Sequence, residues 1–191
     1  MIRRNDSWDL GEISQRSNRT VLERLFSYPN MKRLLVIIIM ATCFIAATTR
    51  VDEEPKIEWM DFNTGYELAK KEGKVAVIDC YTEWCGWCKV MDKKTFSDTG
   101  IIRRFNEKYV AIKFNPEEGG KYYIGESDSL TGRQLLLALS NNKPSGYPTF
   151  FFYVPQGKKM FQVPGYQDVE KFTTTLDGVD RYKKAVTLKT P

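Results

Sequence analysis

The stretch that decides the fold is VIDCYTEWCGWCK, residues 77–89. Its first part belongs to a run, Lys74–Thr82, that is apolar at both sets of alternating positions, as expected for a central β-strand covered on both faces. Cys85 and Cys88 follow at once, and the sequence CKVMDKKTF that begins at Cys88 is typical of a helix. The sequence therefore predicts two thiols at the point where a buried strand ends and a helix begins.

This position favours redox chemistry at the cysteine pair. The first turn of a helix has unpaired N–H groups and the positive end of the helix dipole, and both favour a thiolate over a thiol. In such a place the pKa of a cysteine falls from about 8.5 by one to several units. One helical turn separates Cys85 from Cys88, so both sulfurs lie on the same helix face. The spacing suits an internal disulfide that forms after one sulfur has attacked a substrate.

Three other interpretations of the pair stay open. A static bridge would stabilise the chain little, because it closes a very short loop. A structural zinc site needs four ligands, whereas the sequence has no histidine and the folded part has only Cys80 besides the pair. The third alternative is an inert pair. We expect neither a metal nor any other cofactor, and the lack of histidine also argues against hydrolytic triads.

Composition sets the size and class of the protein. The chain has 191 residues, of which 42% are hydrophobic and 13% aromatic, enough for one domain with a substantial core. The formal net charge is only +5. No basic run typical of nucleic-acid binding is present, and we expect no nucleic-acid partner.

The order of the remaining elements predicts an α/β fold. A helix is expected over residues 63–73, with Thr64 and Glu67 as a capping box, and a second short helix near Thr99–Asn106. Later segments alternate between the periods of strands and helices. They are a strand over 109–115, a helix over 130–142, strands over 148–154 and 159–163, and a terminal helix with an apolar stripe at Val169, Phe172, Leu176 and Val179. This order indicates a mixed sheet flanked by helices, with an antiparallel pair at one edge.

The motif also resembles the active-site segment of the thioredoxin superfamily. Trp84, directly before the first cysteine, and Lys89, directly after the second, both match that family. The resemblance covers about residues 57–179, and residues 73–96 are especially similar to the thioredoxin-like domains of exported bacterial thiol–disulfide oxidoreductases. It implies a thioredoxin fold. Trp87 departs from the pattern, because the family usually has a proline there.

The resemblance also implies roles for two charged residues. The family has an aspartate beneath the second cysteine as its proton acceptor, which is Asp79 here, and a lysine that pairs with it, which is Lys113. From the residues alone, Asp79 could be an idle, solvated carboxylate at the end of the sheet. Lys113 could equally reach water from a strand end. Cys80, next to Asp79 in the strand, points to the opposite face; we expect it to act as a small buried hydrophobe rather than a redox group.

A further loop matches the family segment that faces the cysteines. It is SGYPT, residues 145–149, in which the family's X–Pro bond is cis. A cis bond here would turn the backbone of Tyr147 outward to pair with an extended substrate, and the alternative is a plain turn. The expected substrate-binding residues are Trp84, Gly86, Trp87, Tyr147 and Pro148.

The front of the chain has the layout of an export signal. Residues 31–49 begin with Lys32 and Arg33, continue through an apolar run from Leu34 to Ala47, and end in small residues. The alternatives are an uncleaved anchor, which the arginines of residues 1–30 favour, and a core helix. We therefore expect an exported, periplasmic protein whose only membrane contact is Leu34–Ala47, if this segment is not cleaved.

The sequence predicts a division into four segments. Residues 1–30 are a polar extension that is either translated or upstream of a start at Met31, residues 31–49 are the signal or anchor, residues 50–182 are the thioredoxin-like domain, and residues 183–191 are a C-terminal tail.

The predicted function is that of a protein-disulfide oxidoreductase. Cys85 and Cys88 exchange electrons with protein thiols and disulfides, and a membrane partner supplies the electrons. Because no histidine precedes Cys88, we expect a reductant or isomerase. The alternatives are a redox-inert thioredoxin-like binding module and a reductant that assists cytochrome c maturation.

Overall fold

The structure, a computed structural model, describes residues 55–125 and 129–189, and isolated helical positions between residues 30 and 40. The chain divides into two compact units, residues 1–53 and 54–191. In the first unit, the described apolar side chains between Leu34 and Met40 are exposed. None of the helices among the described residues has both the length and the apolar character needed to cross a membrane. The predicted extension over residues 1–30, and most of the predicted signal or anchor over residues 31–49, lie outside the described residues.

The second unit is built on one five-stranded mixed sheet. Its strands are β1 (Trp59–Met60), β2 (Val75–Cys80), β3 (Tyr109–Phe114), β4 (Thr149–Val154) and β5 (Lys159–Pro164). Their spatial order is β1-β3-β2-β4-β5. The pairs β1–β3 and β2–β3 are parallel, whereas β4 runs antiparallel to both β2 and β5. This confirms the predicted mixed sheet with its antiparallel edge pair.

Five helices cover the two faces of the sheet. They are α1 (Phe62–Glu72), α2 (Gly86–Lys94), α3 (Thr99–Lys108), α4 (Gly132–Leu139) and α5 (Val169–Thr187). The predicted stop of α1 at Gly73 is confirmed, because this residue has φ +62° and ends the helix. The predicted capping box at Thr64 is wrong. The N-cap is Asp61, whose carboxylate accepts a hydrogen bond from the Thr64 backbone N–H.

All six residues of β2 are buried, because its two faces enter two separate cores. Val75 and Val77 face α2, α3 and α5, in a core filled by aromatic rings that include Phe96, Phe105 and Phe172. Ala76, Ile78 and Cys80 face α1 and α4, in a second core with Phe62, Ile112 and Leu135. Because side chains alternate along a strand, Asp79 lies on the same face as Val75 and Val77.

Two differences from the predicted elements lie at the two ends of the folded unit. The edge strand β1 was not predicted, since two residues are too few to show an alternating pattern. At the other end, α5 continues to Thr187. It therefore extends past residue 182, the predicted end of the domain, into the segment expected to be a tail. Its aromatic residue Tyr182 packs edge-on against Phe161 of β5 and so ties this part of the helix to the sheet.

Candidate active site

The two cysteines lie where β2 leads into α2, as the sequence predicts. Cys85 is the N-cap residue of α2, and its Sγ accepts the backbone N–H of Cys88 at 3.1 Å. The two sulfurs form a disulfide. Each cysteine has only 4% of its surface exposed, so a partner must reach the sulfurs through the residues around them. The backbone N–H that contacts Sγ is one of the free donors of the first helical turn.

Two exposed tryptophans flank the disulfide. Trp84 is 66% exposed and Trp87 is 60% exposed, although indole rings are strongly favoured in protein interiors. The Trp84 ring packs edge-on against Tyr147, with centroids 5.6 Å apart. The Trp87 ring packs against Tyr166 at 5.1 Å. Trp84 and Trp87, which adjoin the cysteines in the sequence, therefore each have an aromatic partner from another part of the chain.

Two residues at this surface were not predicted from the sequence. The Trp84 Nε1–H donates a hydrogen bond of 2.9 Å to Oε2 of Glu117, which fixes the indole orientation. Tyr166, the partner of Trp87, directly follows Gly165. Both contacts join residues far apart in the chain, so no local pattern indicates them. The one local feature they share is a position just after a strand: Tyr166 follows β5 after Gly165, and Glu117 follows β3 after Asn115 and Pro116.

The Tyr147–Pro148 peptide bond is cis, as the resemblance implies. The Pro148 carbonyl accepts the N–H of Gly165 at 2.8 Å, which ties this loop to the end of β5. Gly165 has φ +87°, a conformation that favours glycine because it has no Cβ. Trp84, Trp87 and Tyr147 thus lie around the disulfide. Gly86 is the exposed first residue of α2.

A chain of three charged residues lies below the disulfide helix. Asp79 and Lys113 are register partners on the parallel strands β2 and β3. The Lys113 Nζ is 2.6 Å from Asp79 Oδ2 and 2.7 Å from Asp92 Oδ1 on α2. Side-chain exposure rises along this chain, from 2% at Asp79 to 23% at Lys113 and 47% at Asp92. The predicted pairing of Asp79 with Lys113 is therefore present, and Asp92 is an additional partner that was not predicted from the sequence.

Aromatic rings surround the ammonium group of this chain. The Lys113 Nζ lies 4.7 Å from the centroid of the Trp59 ring and 5.1 Å from that of Tyr81. Such cation–π contacts stabilise an ammonium that has lost part of its water. Burial by itself lowers the pKa of Lys113, but the carboxylates of Asp79 and Asp92 outweigh that effect and raise it. Lys113 therefore carries its charge near neutral pH.

The Asp79 carboxylate is buried, and its contact with Lys113 does not fully compensate for its loss of water. Burial raises the pKa of its carboxyl above the ordinary value of 3.8, and the nearby Lys113 opposes this rise without cancelling it. Its second oxygen, Oδ1, is buried and accepts no hydrogen bond from any of the described residues. A carboxylate with a free, buried oxygen and a raised pKa is poised to take up a proton.

Cys80 is separated from this site by the sheet. It is a free, buried cysteine in the core between the sheet and helices α1 and α4. Burial raises the pKa of its thiol, and the nearby Asp79 charge adds to this effect. A thiol held neutral in this way is a poor nucleophile, which agrees with the expectation of a small buried hydrophobe.

Across the described part of the chain, no group of three or more histidine, cysteine or acidic residues is arranged to hold a metal ion. That the protein needs neither metal nor cofactor stays a prediction.

Comparison with known proteins supports this site. Residues 62–180 match the family model of the thioredoxin-like domain. The thiol:disulfide interchange protein DsbD of Photorhabdus laumondii is 26% identical over 154 residues, which are 75% of this chain and 24% of that protein. DsbD of Shigella boydii serotype 4 is 29% identical over 113 residues, 58% of this chain and 18% of that protein. The chain thus spans about a quarter or less of the length of these relatives.

Solved structures agree on the fold. A thioredoxin from Thermus thermophilus superposes with a TM-score of 0.55 at 20% identity, covering 68% of this chain and 92% of that one. At this identity the likeness shows the fold alone. The family match takes in both cysteines and more than half of the sequence, and it shows that the chain belongs to the thioredoxin-like domain family.

Proposed function

We propose that this protein is a thiol–disulfide oxidoreductase that exchanges electrons with protein disulfides through Cys85 and Cys88. The observation that carries the proposal is the disulfide at the N-terminus of α2, with Cys85 as the N-cap and an exposed tryptophan on either side. The thiol:disulfide interchange proteins that match most of the folded unit support the same chemistry.

The first step is the attack of Cys85 on a substrate disulfide. In the reduced protein, the Cys88 N–H that contacts Cys85 Sγ and the dipole of α2 both stabilise the Cys85 thiolate. This thiolate attacks one sulfur of the substrate, which forms a mixed disulfide and expels the other substrate sulfur as a thiolate that takes a proton from water.

The second step releases the substrate. The Cys88 thiol loses its proton and attacks the Cys85 sulfur, which re-forms the Cys85–Cys88 disulfide and expels the remaining substrate sulfur. The substrate disulfide has then gained two electrons, and the protein has lost two. Asp79 is the proposed acceptor of the Cys88 proton, because it lies beneath α2 with a buried oxygen that has no hydrogen-bond partner among the described residues. Lys113 holds the Asp79 carboxylate in place through its 2.6 Å contact.

The residues around the disulfide are proposed to bind the substrate chain. Among the described residues the backbone N–H and C=O of Tyr147 form no hydrogen bond, so both are available to an extended segment. The rings of Trp84, Trp87 and Tyr147 offer apolar area to such a segment. Gly86 leaves the approach to the sulfurs open, since a Cβ there would contact nothing within 4 Å.

The direction of electron flow is proposed from the motif. No histidine precedes Cys88 to stabilise the thiolate strongly, so we propose a reductant or isomerase with a potential in the range of about −270 to −180 mV. Its electrons would come from a membrane partner. The apolar run from Leu34 to Ala47 supports an exported, periplasmic protein, with that run either cleaved as a signal or kept as an anchor.

The test is the reduction of insulin disulfides by dithiothreitol, which is measured as the turbidity of the released B chain. The wild-type protein should accelerate the reaction, and Cys85→Ser should abolish the acceleration. Cys80→Ala is the matched control, because it removes a cysteine from the other core and leaves the pair intact; it should retain activity. Equal acceleration by the wild type and Cys85→Ser would refute the proposal. Absence of acceleration by either would favour a binding module whose cysteines stay bridged.

A further inference from the structure

We propose that a pocket beside the disulfide binds the substrate segment next to the reacting cysteine and prefers an apolar side chain adjacent to a carboxylate. This side pocket has a volume of about 330 Å³ and lies between the start of α4 and the loop that precedes Pro148. The inference rests on the proposed function and adds a substrate preference to it.

The side pocket is continuous with the surface around the cysteines. Tyr147 lines the pocket and also packs against Trp84, the residue next to Cys85. Glu117 forms another part of the wall and accepts the hydrogen bond of Trp84. A chain that pairs with the backbone of Tyr147 therefore passes the pocket mouth. In an extended chain successive side chains point to opposite sides, so a residue close to the substrate cysteine points into the pocket.

Rigid packing keeps the side pocket open without a ligand. Its floor includes Pro116, which is buried, and Leu136 and Leu137 of α4. Gly132, the first residue of α4, is in such close contact with Pro116 that an added Cβ would be 2.4 Å from the Pro116 carbonyl oxygen. The capping box of Thr131 and Gln134 fixes the same end of the helix. An apolar, pre-formed pocket of this kind favours an apolar side chain.

Two charged residues line the pocket, and they differ in whether they already have a partner. The Glu117 carboxylate faces Trp84 and already accepts its Nε1–H. Arg133 also lines the pocket, is exposed, and has no ion pair with any of the described residues. Among the described residues that line the pocket, it is therefore Arg133 whose guanidinium is available to receive a substrate carboxylate. For this reason the favoured substrate segment combines an apolar residue with Asp or Glu close to its cysteine.

The test uses synthetic peptides whose cysteine is joined by a disulfide to a small fluorescent thiol. Reduced protein attacks the peptide sulfur and releases the fluorescent thiol, and the second-order rate constant follows from the signal. The peptides carry Leu-Glu, Leu-Lys or Ser-Glu beside the cysteine. We expect the wild type to react about two- to fivefold faster with the Leu-Glu peptide than with the Leu-Lys peptide, the range for a partly exposed ion pair. The Ser-Glu peptide should be slower than the Leu-Glu peptide.

The matched variants are Arg133→Glu and Arg103→Glu, which change the net charge equally. Arg103 is exposed on α3, which packs against the other face of the sheet. Arg133→Glu should abolish or invert the preference for the Leu-Glu peptide, whereas Arg103→Glu should preserve it. Equal wild-type rates for the Leu-Glu and Leu-Lys peptides, or an equal loss of preference in both variants, would overturn the inference.

A small aromatic disulfide, 5,5′-dithiobis(2-nitrobenzoic acid), distinguishes failure of the side pocket from failure of the proposed redox function. If reduced protein reacts with it but treats the peptides alike, the side pocket is refuted and the redox function is retained. If reduced protein reacts with neither the small disulfide nor the peptides, the redox function is refuted, and the side pocket is refuted with it.

Discussion

Replacement of Asp79 by asparagine should stabilise the protein relative to the wild type increasingly as the pH rises. Burial raises the pKa of the Asp79 carboxyl in the folded state above 3.8, although Lys113 opposes the rise. Between the ordinary and the raised pKa, the folded wild type therefore binds more protons than the unfolded chain. Its free energy of unfolding then falls as the pH rises through this window. At pH values above this window, the wild type has lost about 1.4 kcal/mol of its free energy of unfolding for each pH unit by which the Asp79 pKa is raised.

Asp79→Asn removes this titration without leaving a buried charge unpaired. Lys113 keeps its contact with Asp92, 2.7 Å away. Loss of one member of a buried pair is strongly destabilising only when the other charge is left uncompensated. The stability of the variant relative to the wild type should therefore be lowest near pH 4 and should increase with pH by about 1.4 kcal/mol per unit of raised pKa. The same variant should slow the release of substrate from the mixed disulfide, since Asp79 is the proposed proton acceptor.

The assay is urea unfolding of the oxidised protein at a series of pH values from 4 to 9. In the oxidised form the cysteine pair does not titrate, and in the wild type the raised pKa keeps Lys113 charged throughout this range. Asp92→Asn is the matched control. It removes the same charge from a half-exposed side chain and keeps the Asp79–Lys113 contact. Its stability should therefore still fall as the pH rises, by somewhat less than in the wild type, because the Asp92 charge adds to the rise of the Asp79 pKa. A stability difference between Asp79→Asn and the wild type that does not vary with pH would refute the raised pKa and, with it, the proposed proton transfer.

Five substitutions at four positions test the packing and the binding surface. Gly132→Ala should lower the free energy of unfolding by about 1–3 kcal/mol, because the new Cβ meets the backbone of Pro116. Gly178→Ala in α5, where the new Cβ makes only an ordinary contact of 3.8 Å with Arg181, should raise it by about 0.5–1 kcal/mol; urea unfolding compares the two. Phe172→Ala, in the centre of the aromatic core, should cost about 3–5 kcal/mol in the same assay. Trp84→Ala should lower kcat/KM for insulin about two- to tenfold, and Trp84→Phe should lower it less, because the phenyl ring still packs on Tyr147.

The central strand and the cysteine pair were predictable because their signals are local. The six consecutive buried residues of β2 are all apolar except Asp79, and the motif follows within a few positions. The strand β1 has no such signal. Its two residues form a strand only because β3 lies beside them. The N-cap of α1 shows a different limit: Asp61 and Thr64 are both good cap residues, and the choice between them depends on where the preceding strand ends.

The charged and aromatic contacts of the site were only partly predictable. Asp79 and Lys113 were paired through the family resemblance, and the β2–β3 register explains why they meet. Asp92 does follow Cys88 by one helical turn, but its role depends on the direction in which Lys113 extends from another strand. The contact between Trp84 and Glu117 joins residues 33 positions apart. Such contacts depend on the turn after β3, whose path has no periodic signal in the sequence.

The alternation of side chains along β2 places Asp79 at the site and keeps Cys80 away from it. Asp79 and Cys80 are adjacent, so they point to opposite faces of the sheet. Asp79 therefore lies beneath α2, where the proposed reaction needs a proton acceptor, and Cys80 lies in the core of α1 and α4. A shift of one residue in the register would exchange them. It would place a third thiol beneath the disulfide, where it could compete with Cys88 for the Cys85 sulfur, and it would bury an unpaired carboxylate in an apolar core. Both costs of the wrong register arise from the exchange of Asp79 and Cys80. The packing that keeps the Asp79 charge paired therefore also keeps the Cys80 thiol away from the proposed exchange reaction.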